Sequence, residues 1–266
     1  LLIPSISAQP NVNKASDWLS NNTNFEQDIE TVSLSVIALS LSDKGDDARR
    51  GASRLIERQD ASGCFPKGNC RVKDTSLAIL ALSQVNKPTT AAKSWLTSLK
   101  LPASSTGKFW IQIASSSDGQ CKLSYDGQQK TITLKNGNIA ECGSKPWLDV
   151  SCLDSNLAKS VGKQIDVDCS SLQSSAIISL IFQQSNSYYI LQEEHSNFAK
   201  LLLQNACLPA SKGSSSCDYD ATLFATFAMS GKSLGTLTYL ESNIQSNNIV
   251  GYSLLYVLTK KEIYRE

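Results

Sequence analysis

Five stretches of this chain share one form, a polar or acidic opening followed by a short, almost unbroken apolar run. They are Asp28–Leu41 (DIETVSLSVIALSL), Asp74–Leu82 (DTSLAILAL), Leu172–Phe182 (LQSSAIISLIF), Asp220–Met229 (DATLFATFAM) and Ile249–Leu258 (IVGYSLLYVL). Alternation in the first would allow a strand. The Ala and Leu content, and the Asp and Thr at the openings, favour capped helices. A helix that is apolar on every side has to be covered on every side, so these read as inner helices of a helical array.

Segments with a narrower apolar stripe lie between them and read as outer helices. Ala15–Leu19 and Ala92–Leu96 repeat an A-x-x-W-L pattern, which Ala52–Ile56 and Ala199–Leu203 echo with Leu for Trp. Asp28 and Asp74 are 46 positions apart and Leu172 and Asp220 are 48, a repeat of about 45 residues typical of stacked helical hairpins. Such hairpins bury their apolar faces only by stacking or by closing into a ring.

The interval from Asp74 to Leu172 is about twice that period, and its middle changes character. Lys108–Ala114, Gln120–Tyr125, Lys130–Leu134 and Ile139–Cys142 alternate like strands, with Asp126-Gly127 and Asn136-Gly137 as hairpin turns. Gln164–Asp168 reads as a further short strand. The expected fold class is therefore mainly α, an α/α toroid-like array of helical hairpins with a small antiparallel β meander inserted. The expected division is an N-terminal extension at 1–11, helical hairpins at 12–105, the β insertion at 106–168 and helical hairpins again at 169–266.

Eight cysteines, at 64, 70, 121, 142, 152, 169, 207 and 217, include no C-x-x-C pair and read as a disulfide framework. Pairing in sequence order gives Cys64–Cys70, Cys121–Cys142, Cys152–Cys169 and Cys207–Cys217, one of the 105 pairings that eight cysteines allow. Leu1–Ala8 resembles the end of a secretory apolar region, which agrees with an oxidising destination, secreted or at the cell surface. Asn21-Asn22-Thr23 fits the N-glycosylation pattern. No run reaches the ~18 apolar residues of a transmembrane segment.

Lys and Arg total 25 against 24 Asp and Glu, a net charge of +1, which leaves little positive potential to attract nucleic acid. A single histidine, His195, and a single methionine argue against a His-built metal centre or a Met-lined groove, so no metal or cofactor is expected.

Gln59–Phe65 (QDASGCF), placed between an outer and an inner helix, resembles the Q-x3-G-x-W/F repeat of the terpenoid cyclase and protein prenyltransferase superfamily. Gln204 with Gly213 and Asp220-Ala221-Thr222, and Asn22 with Asp28, are similar at looser spacing. The resemblance covers residues 12–100 and 170–260, and implies alternating outer and inner helices closed into an α/α toroid. It also implies that the glutamine ties the end of an outer helix to the first amides of the next inner one.

That superfamily's catalytic sets are searchable. Prenyltransferase zinc needs Asp, Cys and His, but His195 falls in an expected outer helix, Tyr188–Asn205, without a suitably spaced cysteine. The cyclase D-x-D-D acid cluster survives only as Asp218-Tyr219-Asp220-Ala221, and alanine at its end removes an acid. The thioester motif, a G-x-S-x-G elbow and a phosphate-binding loop are all missing from the sequence.

If inner helices start at one end of a ring, Asp28, Asp74, Asp218 and Asp220 converge on one mouth able to take a cation or polar ligand; capping explains the same acids. Trp110, Trp147, Tyr188, Tyr189, Tyr252 and Tyr256 are candidate lining for a binding surface or plain core. The function expected is a non-catalytic extracellular interaction module, adhesive or assembling, that engages a protein partner or itself through the β insertion. Two alternatives stand beside it: a small-ligand carrier, and a toroid-type enzyme, cyclase-like or glycan-processing.

Overall fold

The structure, a computed structural model, describes residues 11–103, 107–144, 146–157, 162–184, 186–203, 206–230, 235–245 and 247–265. In chain order the first elements are α1 (Val12–Asn22), α2 (Ile29–Ser40), α3 (Gly45–Glu57), α4 (Val72–Gln84), α5 (Thr90–Ser98), β1 (Leu101–Pro102), β2 (Lys108–Ser115), β3 (Gly119–Tyr125), β4 (Gln128–Lys135) and β5 (Asn138–Ile139). Then come α6 (Glu141–Ser144), β6 (Trp147–Asp149), α7 (Val150–Leu153), β7 (Lys163–Asp168), β8 (Ala176–Gln184), β9 (Ser187–Glu194), β10 (Phe198–Leu203), β11 (Ala206–Cys207), α8 (Tyr219–Ala228), α9 (Leu237–Asn243) and α10 (Ile249–Thr259). The expected secretory remnant at Leu1–Ala8 lies outside the described residues.

Of the described residues 41% are helical and 27% are in strands, which makes the fold mixed α and β rather than mainly α. It divides into two compact units, one formed by the chain up to Leu99 with Leu208–Ser230, the other by Lys100–Cys207 with Gly231–Glu266.

The first unit is helical. α2 packs on α3 and α4, and α4 packs on α8, which returns to this unit after the intervening sheets. Val32, Val36 and Leu39 of α2, Leu77, Ile79 and Leu82 of α4, and Leu223 and Ala225 of α8 are buried. The Asp28 carboxylate caps α2 by accepting the Thr31 N–H at 2.9 Å and the Thr31 hydroxyl at 2.8 Å, while Asp218 caps α8 by accepting the Ala221 N–H at 2.7 Å. Gln59 acts inside its own turn: its side-chain amide donates to the Gly63 carbonyl at 2.8 Å. The tie to the next helix is made instead by Thr75, whose hydroxyl oxygen accepts the Phe65 N–H at 3.0 Å.

In the second unit the sheets are larger than the expected meander. A curled five-stranded sheet has the order β10-β7-β3-β4-β5, a four-stranded one the order β6-β2-β8-β9, and β1 pairs with β11; every pairing is antiparallel. Phe109, Ile111, Ile113, Ile178, Leu180 and Phe182 of the four-stranded sheet share one core with Leu123, Ile132, Leu134, Ile165, Val167 and Leu201 of the five-stranded sheet. Asp126-Gly127 and Asn136-Gly137 form the expected turns, with φ of 46° and 74° and of 51° and 73°.

Three helical expectations fail here. Leu172–Phe182 leads into β8 rather than an inner helix, and Tyr188–Asn205 and Ala199–Leu203 supply β9 and β10 rather than an outer helix. The Ile178, Leu180 and Phe182 side chains fill the core, yet Ser179 and Ile181 on the other face are also buried, so the run shows no alternation that would distinguish strand from helix. Ile249–Leu258 is helical as expected, but Ile249, Val250 and Val257 are exposed, so α10 is not covered on every side.

All eight cysteines are disulfide-bonded. Cys64–Cys70 pairs as the sequence order suggests, but Cys121 joins Cys169 and Cys142 joins Cys152, which corrects the expected Cys121–Cys142 and Cys152–Cys169. The reason is sheet register: Lys122 lies opposite Asp168 in the β3–β7 pair, which brings the residues flanking them together.

Candidate functional site

The four carboxylates singled out by sequence lie at helix starts, Asp28 and Asp218 as caps and Asp74 and Asp220 in the first turns of α4 and α8. Burial raises the Asp74 carboxyl above its usual range; Arg71 and Lys73 oppose that shift, and Glu30 and Asp28 add to it. Lys73 is paired with Glu30 at 2.9 Å and lies 5.2 Å from the centre of the Phe224 ring. Asp28 and Asp74 are therefore within electrostatic reach of one another, and the cap bonds account for the Asp28 and Asp218 carboxylates.

Asp60, Cys64 and Cys70 place potential ligand atoms within 4.8 Å of one another. The two sulfurs are joined as a disulfide, and Asp60 accepts the Ser62 N–H at 2.9 Å and the Gly68 N–H at 3.2 Å. A disulfide offers no thiolate to a metal, so these residues do not fit a metal centre.

His195 lies in the connection between β9 and β10, not in a helix, and its Nε2 is 3.1 Å from Glu193 Oε1. It borders an open hollow of about 530 Å³ with Ala114, Ser115, Ser116, Ser175, Ala176 and Ile177. Beside it the Ser115, Ser117 and Ser174 hydroxyls are linked at 2.8 and 2.9 Å, while Asn197 accepts the Ala176 N–H at 2.7 Å and donates to the Ser174 carbonyl at 3.2 Å. These bonds tie both β2 and the β9–β10 connection to the start of β8.

A different cluster forms on the side of the four-stranded sheet away from its core. Because Phe109, Ile111 and Ile113 point inward, Lys108, Trp110, Gln112 and Ala114 point outward. Register aligns Trp110 with Asp149 on β6, Ile181 on β8 and, through Ile181, Ile190 on β9. It likewise aligns Gln112 with Trp147 and Ser179, and Lys108 with Gln183 and Tyr188.

The Trp147 ring meets Trp110 edge-on at 6.4 Å and Tyr188 at 5.2 Å. The Trp110 indole N–H donates to Gln183 Oε1 at 3.0 Å, and Lys108 Nζ lies 5.9 Å from the Trp110 ring and 3.9 Å from Asp149. Tyr188 is 52% exposed and Ile190 62%, with Ile177 on the same side also exposed.

The outer strand of this sheet, β9, is blunted against pairing with another strand. Its register slips at Leu191, which breaks the regular row of edge groups. Gln192 closes part of the β10 edge in turn, donating to the Leu202 carbonyl at 2.9 Å and accepting the Leu202 N–H at 3.0 Å. The face, not the edge, is what stands open.

Of the six aromatics named from sequence, Trp110, Trp147 and Tyr188 converge here. Tyr189 packs on the shared core, Tyr252 meets Tyr264 at 6.0 Å, and Tyr256 lies 5.9 Å from Lys260 Nζ. Sequence reasoning missed Ile177, Gln183 and Ile190, because β8 and β9 read as helices; the Tyr-Tyr-Ile run of β9 was the available strand signal. Gln112 lay in an expected strand, and its place beside Trp147 follows only from the β2–β6 register. Asn21, the glycosylation candidate, is exposed in the last turn of α1. Among the described residues no helix is long and apolar enough to cross a membrane. No family model, curated protein or solved structure matches the chain.

Proposed function

We propose that this chain is an exported, non-catalytic interaction module that adheres to a partner on a cell surface through the outward face of its four-stranded sheet. One observation carries the reading: the Trp147 ring meets both Trp110 and Tyr188 on a single sheet face, on which Ile190 and, farther along β8, Ile177 are exposed. Exposed apolar surface is costly to leave in water, and Trp and Tyr supply most of the binding energy where such surfaces are covered. Complete oxidation of eight cysteines supports a compartment outside the reducing cytosol.

The test uses purified, labelled protein sedimented with intact envelopes of the producing cells. A Tyr188→Lys, Ile190→Lys double variant, folded by circular dichroism, is expected to lose retention by about tenfold or more. Unchanged retention in that variant, or none in the wild type, overturns the reading.

A further inference from the structure

Resting on the reading above, we infer that the ligand of the Trp110–Trp147–Tyr188 face is a neutral glycan chain. A sugar ring has an apolar C–H face and a rim of hydroxyls, and it is held by aromatic surface interleaved with hydrogen-bonding groups. This face supplies both. Among the described residues the half-buried Gln112 amide, the Trp147 indole N–H and the Tyr188 hydroxyl make no hydrogen bond to protein, although each belongs to or adjoins the aromatic cluster.

Covering these three groups with a purely apolar surface strands them, at a cost that a hydroxyl-rich ligand avoids. The alternative of an extended peptide added to the sheet is opposed by the slipped register at Leu191.

Charge selects a neutral glycan over a sulfated or otherwise acidic one. Lys108 and Asp149 sit 3.9 Å apart and offset one another, and Glu193 is engaged by the Ser179 hydroxyl at 3.3 Å and by His195 at 3.1 Å. Among the described residues no surplus of cations faces the rings to attract an anion. Ring orientation adds the form of the ligand. Trp147 is inclined 61° to Trp110 and 72° to Tyr188, so the aromatic planes turn rather than forming a flat platform. A turning cradle fits one flexible chain and not the planar surface of a crystalline polysaccharide.

The experiment titrates the full chain with soluble hexasaccharides of β-1,4-linked glucose, β-1,4-linked N-acetylglucosamine and α-1,6-linked mannose, following indole emission and amide chemical shifts. At least one is expected to bind saturably. Trp147→Ala and Tyr188→Ala are expected to weaken it by about tenfold or more, and Gln112→Ala by about threefold, while Trp18→Ala leaves it unchanged. Tyr188→Phe separates ring from hydroxyl: it keeps stacking and loses the polar share.

Failure of all three sugars to bind, or equal binding by Trp147→Ala, overturns the inference. Envelope retention separates this from failure of the broader reading. Retention lost after periodate oxidation of envelope sugars supports the glycan. Retention abolished by protease but not by periodate leaves an adhesive module with a protein partner and overturns the glycan, and wild-type protein that is not retained at all overturns both.

Discussion

Thr75 and Thr222 hold equivalent stations on α4 and α8. The Thr75 hydroxyl oxygen accepts the Phe65 N–H at 3.0 Å and its hydroxyl donates to the Arg71 carbonyl at 2.7 Å; Thr222 accepts the Leu208 N–H at 2.9 Å and donates to the Asp218 carbonyl at 2.6 Å. The backbone repeats the match, since the Arg71 N–H donates to the Phe65 carbonyl at 2.8 Å and the Asp218 N–H to the Leu208 carbonyl at 2.9 Å. Two distant segments of sequence therefore dock the preceding loop on a buried helix in the same way. Both threonines are fully buried, so an isosteric Thr→Val change at either leaves an amide without its acceptor. Thr75→Val and Thr222→Val are each expected to lower unfolding free energy by about 1–3 kcal/mol. Urea titration of the two variants checks this, and an effect at one site alone counts against the equivalence.

Cys121–Cys169 closes a sequence separation of 48 residues, the longest of the three bridges whose partners are resolved here, against 6 for Cys64–Cys70 and 10 for Cys142–Cys152. In the chain-entropy account, cross-linking a loop of that length constrains the unfolded chain by about 4 kcal/mol, and the shorter loops by less. A Cys121→Ser, Cys169→Ser double variant is therefore expected to lose more stability than the Cys64→Ser, Cys70→Ser one. Denaturant unfolding under non-reducing conditions measures both; the reverse order would show that packing at the bridges outweighs loop length.

Which parts of this arrangement were legible in the sequence follows from the range of the forces that set them. α2, α4 and α8 were readable because Asp28, Asp218 and the Ala- and Leu-rich runs behind them act within a turn or two. The β3–β4 and β4–β5 turns were readable because Asp126-Gly127 and Asn136-Gly137 satisfy a local requirement for positive φ. β8 was not, since AIISLIF is buried on both faces from Ile178 to Phe182, and a run with no polar side carries neither period. Cys121–Cys169 was out of reach because β3–β7 register, not proximity in sequence, brings it about. The aromatic face lay halfway: Trp110, Trp147 and Tyr188 were singled out, but their meeting depends on three separate strand pairings.

Gly63 offers a sharper test of the turn between α3 and α4. Its φ is +97°, and a Cβ built there would come within 2.6 Å of the Ala91 carbonyl carbon, so both conformation and space exclude a side chain. Gly68, inside the loop that the Cys64–Cys70 bridge closes, has φ of +78° but open space around it. Gly68→Ala is expected to cost about 1–2 kcal/mol from backbone strain alone. Gly63→Ala adds a clash with main chain that cannot move aside cheaply, and is expected to cost more, about 3 kcal/mol or above. Equal losses on thermal unfolding would mean that the α5 backbone at Ala91 yields to the added methyl.

Acid sensitivity divides the carboxylates into two groups with opposite signs. Asp28 is held below its ordinary value of 3.8 by the Thr31 N–H and then the Thr31 hydroxyl, and Asp168 by the Ser170 hydroxyl and N–H. Their contribution is fully present above pH 3.8 and is lost as pH falls through their depressed values. Asp74 runs the other way, because burial favours its protonated form. Ionised Asp74 weakens the fold at neutral pH, and that penalty is relieved as pH falls through its raised value toward 3.8. Asp74→Asn is therefore expected to raise the melting temperature at pH 7, with the gain disappearing by pH 3.5. Asp28→Ala is expected to cost about 1 kcal/mol at pH 7 through the lost cap, a deficit that shrinks in the same acid range. Melting curves for both variants and the wild type from pH 7 to pH 3 decide the matter: the Asp74→Asn and wild-type profiles must converge on acidification, and parallel profiles would show that desolvation at Asp74 is not what governs its charge.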